Sequence, residues 1–399
     1  MKVSKRIQDL KVSPIRKLTP YKIEAEKKGL KVIGFNIGQP DIKTPKEFFD
    51  AIKNFDDEIL SYANSQGVKE FINSTIEYYK RFDLNYEYNN IIVTEGASEG
   101  LGYTFVTCCD EGDEILIPEP CYANYKNFAD LYNVKLVPIT TYPENGFALP
   151  EKNEISKLIT PKTKAIMVNN PTNPTGKVYT YEELKIISEI AREHDLIVIS
   201  DEVYKEFIYD DEDNFISMGN FKEIEDRLII IDSISKRYSC CGARIGNLAT
   251  KNKDLFAALL KLAQSRLAAP TLEQIGAAAL LNVSKDYFDD VLKEYKKRRD
   301  TIYEELSKID GAVFTKPQGA FYSMVKLPVD DAEKFVIWLL ENINIDGETI
   351  FIAPAQDFYI TEGVGKDEVR IAYCLNVDTI KKGMKILKLA LDKYPGKIK

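Results

Sequence analysis

The sequence is almost without histidine, because among its 399 residues only His194 carries an imidazole. Histidine is the side chain that most often moves protons in enzymes near neutral pH. His194 follows a predicted helix, where a surface or capping residue is expected, so a Ser-His-Asp hydrolase has almost no material in this chain. If the chain is an enzyme, another side chain carries its protons.

The cysteines lack the spacing of a metal site or of a disulfide framework. No two of them form a C-x-x-C pair, and adjacent cysteines cannot serve as an ordinary zinc knuckle. Free thiols in a reducing cytoplasm are therefore expected, and no bound metal is predicted. The cysteines are Cys108, Cys109, Cys121, Cys240, Cys241 and Cys374.

Two further absences limit the partners of the protein. The longest weakly polar stretch, residues 275–283, is too short to span a bilayer, and the basic N-terminal segment lacks the apolar core of a secretory signal. Lysine and arginine form no dominant block, and the formal net charge is −8. Nucleic acid and membranes are therefore not expected as partners, and a cytoplasmic protein is predicted.

The composition that remains is that of a soluble globular protein, with 44% hydrophobic and 29% charged residues and enough length for two domains. In the middle third, apolar runs at 165–168, 196–199 and 228–232 predict strands. A helical pattern separates the first two runs, and Thr180 and Glu183 have capping-box spacing at its start. This alternation is typical of β-α-β units and a parallel sheet.

Each of these three predicted strands ends in polar residues. NNPTNPTG follows the first, Asp201 follows the second, and SISKRYSCCGAR, which contains Ser233, Lys236 and Arg244, follows the third. Open α/β sheets bind ligands at the carboxyl ends of their strands, so we expect the three clusters to meet. A polar loop would explain the third cluster, and so would a site that holds an anion beside a reactive amine.

A reactive lysine beside an anion site indicates pyridoxal phosphate, whose carbonyl forms a Schiff base with lysine. This cofactor requires phosphate donors, a carboxylate for its pyridine nitrogen, hydrogen bonds to its ring hydroxyl and an aromatic face. The chain offers Ser233, Arg244 and the backbone at Ala97 and Ser98 for the phosphate, Asp201 for the nitrogen, Asn173 and Tyr204 for the hydroxyl, and Tyr122 for stacking.

Each of these features also has an ordinary structural explanation. A lysine after a strand is mostly a solvated end residue, and an aspartate there is more often a turn or cap residue. Ala97 and Ser98 stand in a common helix start, Asn173 fits a proline-rich turn, and Tyr122 fits a core. Their conjunction on three successive strand ends is what favours a cofactor site.

The motifs NPTNPTG, DEVY and S-x-S-K-x-Y-x-x-x-G-x-R-x-G closely resemble those of the class I/II aminotransferases, which are fold-type I pyridoxal-phosphate enzymes. The aspartate aminotransferase-like members are the most similar, and the resemblance covers nearly the whole chain. It implies an α/β fold with a large domain, residues 50–285, built on a mostly parallel seven-stranded sheet. Residues 1–49 and 286–399, which contain a predicted long helix at 285–309, would form a small α+β domain.

The resemblance also implies roles for individual residues. Lys236 would carry the cofactor and move the proton, and Tyr62 would reach the phosphate of a neighbouring subunit, which implies a homodimer with shared sites. Arg370 would bind the substrate α-carboxylate, assisted by Asn173 and the Gly38 backbone. The remaining cofactor contacts would come from Ala97, Ser98, Tyr122, Asn173, Asp201, Tyr204, Ser233 and Arg244.

The implied activity is transfer of an amino group between an L-amino acid, aspartate or glutamate, and a 2-oxo acid. An aminotransferase specific for alanine or aromatic amino acids is an alternative, and so is another reaction on the same cofactor. A carbon–sulfur β-lyase, a decarboxylase or a synthase would share every cofactor residue. Two places depart from the common pattern: Cys240-Cys241 stands where small or apolar residues are usual, and packing or a cofactor adduct could explain it. Arg266 could bind a distal substrate carboxylate or form a surface or interface salt bridge.

Overall fold

The fold is that of a computed structural model, which describes residues 3–10, 16–210 and 214–398. Its strands are β1 Lys31–Gly34, β2 Ile91–Thr94, β3 Glu114–Glu119, β4 Lys135–Thr140, β5 Thr163–Asn169, β6 Ile197–Asp201, β7 Leu228–Ser233, β8 Gly246–Ala249, β9 Val313–Phe314, β10 Tyr322–Lys326, β11 Glu348–Phe351, β12 Ala353–Pro354 and β13 Glu368–Ala372. Its helices are α1 Lys5–Asp9, α2 Thr19–Lys27, α3 Lys46–Lys53, α4 Lys69–Lys80, α5 Gly96–Cys108, α6 Asn124–Tyr132, α7 Lys152–Ser156, α8 Tyr181–Glu193, α9 Ile234–Arg237, α10 Lys253–Arg266, α11 Thr271–Ala279, α12 Lys285–Leu306, α13 Ala332–Asn342 and α14 Val377–Lys393.

The largest sheet has seven strands in the order β2-β8-β7-β6-β5-β3-β4. Strand β8 runs antiparallel to both of its neighbours, and the other strand pairs are parallel. Every residue of β7 is buried, because helices cover both faces of the sheet and its near-continuous apolar sequence suits such a position. The predicted mostly parallel seven-stranded sheet is confirmed.

Successive residues of the central strands supply apolar cores on opposite faces of this sheet. Ile166 and Ile230 belong to one buried cluster, and Met167 and Ile231 belong to another. On the first face lies α8, which begins with the predicted capping box. The Thr180 side chain accepts a hydrogen bond from the Glu183 N–H, and the Glu183 carboxylate accepts one from the Thr180 N–H. The capping box sets where α8 begins, and the apolar residues of α8 pack it against the sheet. Helix α8 therefore connects β5 to β6 so that the two strands end at the same edge of the sheet.

The N- and C-terminal parts of the chain share a third core. Strands β12, β13, β10 and β9 form an antiparallel sheet, and β1 pairs with β11 in parallel. One cluster joins Phe35 to Phe335 and Leu387, and it also includes Tyr204 from the segment after β6. The long helix α12 ends at Leu306. The domain boundaries near residues 50 and 285 stay a prediction, and part of the first segment, residues 11–15, lies outside the described ranges.

Two further findings concern the described residues alone. No helix among them is both long enough and apolar enough to cross a membrane. Their six cysteines are all unpaired, and no group of three or more His, Cys, Asp or Glu side chains in these ranges could hold a metal ion.

Candidate active site

The three polar strand ends predicted from the sequence meet at one edge of the large sheet. Strands β5, β6 and β7 are neighbours, and the register pairs Asn169 directly with Asp201. The Asp201 carbonyl accepts hydrogen bonds from the Asn170 N–H at 3.0 Å and the Asn169 Nδ2 at 2.9 Å. These strand ends open into a cavity of about 390 Å³, which is a usual size for a small-molecule site.

All but one of the predicted site residues line this cavity. Tyr62 does not, and its side chain is 84% exposed on the surface of the single chain. The residues brought together are Gly38, Ala97, Ser98, Tyr122, Asn173, Asp201, Tyr204, Ser233, Lys236, Arg244 and Arg370.

At one end of the cavity, the start of α5 forms a cradle for an anion. The helix begins at Gly96, so the N–H groups of Ala97 and Ser98 lie in its first turn, where no intrahelical acceptor is available. Gly96 has a φ of +75°, and a Cβ there would lie 2.3 Å from an Arg244 guanidinium nitrogen. Glycine is therefore the residue that lets Arg244 approach the helix start.

Ser233 and Arg244 complete this end of the cavity. The buried Ser233 hydroxyl lies 2.7 Å from the Ser235 hydroxyl and 2.9 Å from the Ile245 carbonyl, which it can donate to. The Arg244 guanidinium donates to the Cys241 carbonyl at 3.0 Å and to the Glu95 carbonyl at 3.4 Å. Among the described residues it has no carboxylate partner, so its charge is available for an anionic ligand.

Asp201 is a buried acid with neutral hydrogen-bond partners. Tyr125 donates its hydroxyl to Oδ2 at 2.6 Å, and the Val203 N–H donates to Oδ1 at 3.3 Å. Burial raises the pKa of Asp201 to about 6, and these two hydrogen bonds oppose that rise. A cationic ring nitrogen beside this carboxyl would favour its ionised form.

Lys236 projects into the cavity from α9, which continues directly from β7. Ser233 caps this short helix by accepting a hydrogen bond from the Ser235 N–H. The Lys236 amine donates to the Gly38 carbonyl at 2.9 Å, and the described residues place no carboxylate within ion-pair distance of it. A carbonyl acceptor leaves the amine free to exchange its contact for a ligand.

A buried ion cluster connects α9 to β7. Asp232 accepts two hydrogen bonds of 2.8 Å from Arg237 and pairs with Lys205 at 2.7 Å. Although burial alone would raise the pKa of Asp232, Arg237 and Lys205 hold it below its ordinary value. The ion pair thus anchors α9 through Arg237, the residue that follows Lys236.

Asn173, Tyr204 and Tyr322 form a hydrogen-bonded chain along the cavity wall. The Tyr204 and Tyr322 hydroxyls lie 2.9 Å apart, and Asn173 Nδ2 donates to the Tyr204 hydroxyl at 3.5 Å. The Asn173 N–H donates to Asn169 Oδ1 at 2.7 Å, which fixes the loop. Tyr322 also packs so tightly against Gly38 that a Cβ there would lie 2.0 Å from its hydroxyl oxygen.

Arg370 is a buried arginine without a carboxylate partner in the described part of the chain. It is 1% exposed and donates to Asn173 Oδ1 at 3.1 Å and to the Asn36 carbonyl. Its Nε has no partner, and burial lowers its pKa. A buried guanidinium left in this way is costly, and a carboxylate ligand would supply the missing charge and acceptors.

Tyr122 stands beside Asp201 and its partner Tyr125. The two tyrosine rings make an edge contact at 5.4 Å with an interplanar angle of 89°. Asn124 donates to the Tyr122 hydroxyl at 3.1 Å, which fixes the ring on the cavity wall. The ring can therefore offer a face to a planar ligand.

The structure also places the residues that depart from the common pattern. Arg266 is not in the cavity lining: it pairs with Glu99 at 2.8 Å and donates to the Ser65 carbonyl at 3.1 Å. Arg266 therefore forms a salt bridge, which is one of the two roles predicted for it. Cys240 is buried, whereas Cys241 lines the cavity and donates its thiol to the Ser235 carbonyl at 3.2 Å.

Several cavity residues were missed in the sequence analysis. Asn169 is the last residue of β5 and Tyr125 lies three residues after Tyr122, so spacing from predicted site residues could have indicated both. Tyr322 and Arg16 reach the cavity from distant parts of the chain, and no local pattern marks them.

Comparison with known proteins agrees with this geometry. Residues 30–387 match the family model described as aminotransferase class I and II. An aspartate aminotransferase of Bacillus subtilis is 32% identical over 99% of this chain and 100% of its own length. The solved alanine aminotransferase from Pyrococcus furiosus superposes with a TM-score of 0.90 at 31% identity, covering 98% of this chain and 100% of that one. The Thermus thermophilus aspartate aminotransferase with maleate gives 0.87 at 26% identity, with the same coverage.

Proposed function

The chain belongs to the class I and II aminotransferases, which depend on pyridoxal phosphate, and from this membership we propose that it moves an amino group from L-aspartate or L-glutamate to a 2-oxo acid. The observation that carries the proposal is the buried Arg370, which has no carboxylate partner among the described residues and lines the same cavity as the Lys236 amine. An α-amino acid has a carboxylate and an amine on the same carbon. Arg370 could bind the carboxylate while the amine lies near Lys236.

The donor set of the cavity fits the cofactor. The first turn of α5, Ser233 and Arg244 would hold its phosphate, and the Asp201 carboxylate would face its ring nitrogen. Asn173 and Tyr204 would bond the ring hydroxyl, and Tyr122 would stack on the ring. When bound, pyridoxal phosphate supplies a carbonyl that takes up the amino group and a ring that withdraws electrons from the α-carbon.

In this proposal Lys236 has two tasks. Its amine would hold the cofactor, whose carbonyl reacts with amines, and once released it would take the proton from the substrate α-carbon. The Gly38 carbonyl accepts a hydrogen bond from this amine and could hold it in the cavity while it is not attached to the cofactor.

Arg370 would decide which bond at the α-carbon breaks. Its planar fork binds the α-carboxylate at two oxygens and holds that group in one orientation. The C–H bond is then directed toward Lys236, and loss of the carboxylate is disfavoured. The cation stacks 4.7 Å from the Tyr322 ring and 4.9 Å from the Phe358 ring, so its own position is fixed.

We further infer that the enzyme is a homodimer in which Tyr62 completes the phosphate site of the partner subunit. The support is a surface patch around Tyr62, where Ile59 is 75% and Leu60 is 57% exposed. Mixing Lys236→Ala subunits with Tyr62→Phe subunits tests it. A hybrid pairs an intact pocket with an intact Tyr62 and should be more active than the Tyr62→Phe homodimer, whereas a fully active monomer would contradict the inference.

Alanine specificity is the second candidate, because Arg266 is committed to Glu99 and so cannot serve a distal carboxylate from its present position. Purified holoenzyme should be mixed with aspartate, glutamate, alanine, phenylalanine and a β-thioether amino acid while its absorption spectrum is recorded. We expect aspartate or glutamate to convert the cofactor to its pyridoxamine form and 2-oxoglutarate to reverse the change. Conversion by alanine alone would favour the second candidate, and release of pyruvate and ammonia from the thioether alone would indicate a β-lyase.

A further inference from the structure

Glu119 is a fully buried acid that the proposed function does not use. It is the last residue of β3, its exposure is 0%, and it is not among the residues that line the cavity. In the described ranges, no lysine, arginine or histidine nitrogen lies within ion-pair distance of its carboxylate. A carboxylate buried without a counter-charge is costly unless hydrogen bonds compensate for the lost water. The groups that donate to Glu119 therefore matter to the fold around it.

Three hydrogen bonds compensate for this burial, and two of them come from a segment that is distant along the chain. Oε1 accepts from the Thr140 hydroxyl on the neighbouring strand β4 at 2.8 Å. Oε2 accepts from the backbone N–H groups of Ile360 at 2.6 Å and Thr361 at 3.0 Å. Glu119 therefore attaches this distant segment to the end of β3.

The segment 355–361 also contacts Arg370 and the strand that carries it. The Phe358 ring is buried, and its centroid lies 4.9 Å from the Arg370 guanidinium carbon. The Tyr359 hydroxyl donates to Glu368 Oε2 at 2.8 Å, and Glu368 stands two residues before Arg370 in β13. One short segment thus joins the end of β3 to the strand of the arginine that is proposed to bind the substrate carboxylate.

Arg370 depends on such contacts because its own hydrogen bonds are few. It donates to Asn173 Oδ1 and to the Asn36 carbonyl, and its Nε has no partner among the described residues. An arginine fork binds both oxygens of a carboxylate only when its plane has the matching orientation. A change in the position of the Phe358 ring would therefore alter how the fork meets a carboxylate.

We propose that Glu119 is a positioning residue for substrate binding. By holding residues 360 and 361, it keeps the Phe358 ring against Arg370 and so orients the guanidinium for the α-carboxylate. This inference rests on the proposed function, which it deepens by adding a residue outside the cavity lining. A purely structural role would instead cost stability without a specific loss of substrate affinity.

The test uses two substitutions of Glu119 and one matched control. Glu119→Ala removes all three hydrogen bonds, whereas Glu119→Gln keeps an oxygen that can accept from the two backbone N–H groups. Glu114→Ala is the control, because Glu114 is buried at the other end of the same strand and accepts a hydrogen bond of 2.6 Å from the Thr160 hydroxyl. Both alanine variants should lower Tm, so stability alone does not separate them.

Steady-state kinetics of the holoenzymes, with the amino donor that wild type uses best, measure the effect on substrate binding. We expect Glu119→Ala to raise the KM of the donor on the order of 10-fold, with a smaller change in kcat. Glu119→Gln should recover most of this loss, and Glu114→Ala should keep the wild-type KM. Phe358→Leu, which removes the ring but keeps an apolar side chain, should also raise KM and tests the same contact if Glu119→Ala does not fold.

Hydrogen exchange measured by mass spectrometry tests the attachment of the segment without any turnover. Peptides that cover residues 355–365 should exchange on the order of 10-fold faster in Glu119→Ala than in wild type or Glu114→Ala. Unchanged exchange, a KM that rises no more in Glu119→Ala than in Glu114→Ala, or a wild-type KM in Phe358→Leu would overturn the role of Glu119. A wild type that transfers nitrogen from no donor would overturn the proposed function instead, and the exchange rates would then decide alone whether Glu119 holds the segment.

Discussion

The two ends of the cavity are built from different kinds of structure. At the phosphate end, the end proposed to bind the cofactor phosphate, β7, β8 and the first turn of α5 meet at backbone distance: a Cβ on Gly246 would lie 2.7 Å from the Asp232 carbonyl oxygen and 2.9 Å from the Ala97 nitrogen. At the substrate end, the end proposed to bind the substrate carboxylate, β13 of a separate sheet supplies Arg370. The residues proposed to bind the cofactor phosphate thus lie on closely packed elements of the large sheet, whereas the residue proposed to bind the substrate carboxylate comes from a different sheet.

The largest effect should come from the group that both ends share. We expect Lys236→Ala to lower kcat on the order of 10⁴-fold or more, because in the proposed function this one side chain would provide both covalent attachment and proton transfer. Turnover and borohydride labelling of the lysine measure it, with the exposed Lys162→Ala as control. A variant that keeps normal turnover or a reducible lysine adduct would remove Lys236 from its role.

Arg370→Lys should weaken the binding of the substrate but not that of the cofactor. Lysine keeps the charge but loses the bidentate fork, and a carboxylate left poorly paired in a buried site costs about 2–5 kcal/mol of binding free energy. Spectral titration with an amino acid should therefore show a much weaker apparent affinity, while the affinity for the cofactor stays close to wild type. Equal losses of affinity for the amino acid and for the cofactor would contradict the separation of the two ends of the cavity.

The pKa of Asp201 predicts a pH effect in the apo-protein. The folded carboxyl keeps its proton up to about pH 6, whereas an unfolded aspartate loses it near pH 4, as expected for an unperturbed side chain. Folding therefore takes up a proton between these values, so the free energy of unfolding falls as pH rises through this window, on the order of 2–3 kcal/mol. Denaturant unfolding of wild type and Asp201→Asn should differ in this slope, and identical slopes would contradict the raised pKa.

A glycine pair offers the finest test of the phosphate end. Gly96 and Gly112 both have positive φ, +75° and +85°, but only at Gly96 would a Cβ meet another group, the Arg244 guanidinium. We expect Gly96→Ala to weaken cofactor binding on the order of 10-fold, and Gly112→Ala to cost only about 1–2 kcal/mol of stability from backbone strain. Equal cofactor affinities in the two variants would mean that the approach of Arg244 is unimportant.

The same contrast explains what could be predicted from the sequence. Strand β7 and the residues that follow it were identified because an apolar run ends abruptly in polar residues, and α8 because Thr180 and Glu183 mark its start. Tyr322 and Arg16 were missed because long-range packing, not a local pattern, brings them to the cavity. The Asp232–Arg237–Lys205 cluster was missed for a related reason, since burial of charges shows only once the fold surrounds them.

Transfer of labelled nitrogen tests most directly whether this cavity moves an amino group from an amino acid to a 2-oxo acid. Holoenzyme should be incubated with nitrogen-15 aspartate and unlabelled 2-oxoglutarate, and the glutamate formed should be analysed by mass spectrometry. We expect labelled glutamate to accumulate with wild type and with Arg192→Gln, whose arginine is exposed on α8, and to be lost with Lys236→Ala. Unlabelled glutamate, or labelled ammonia in place of labelled glutamate, would contradict the account.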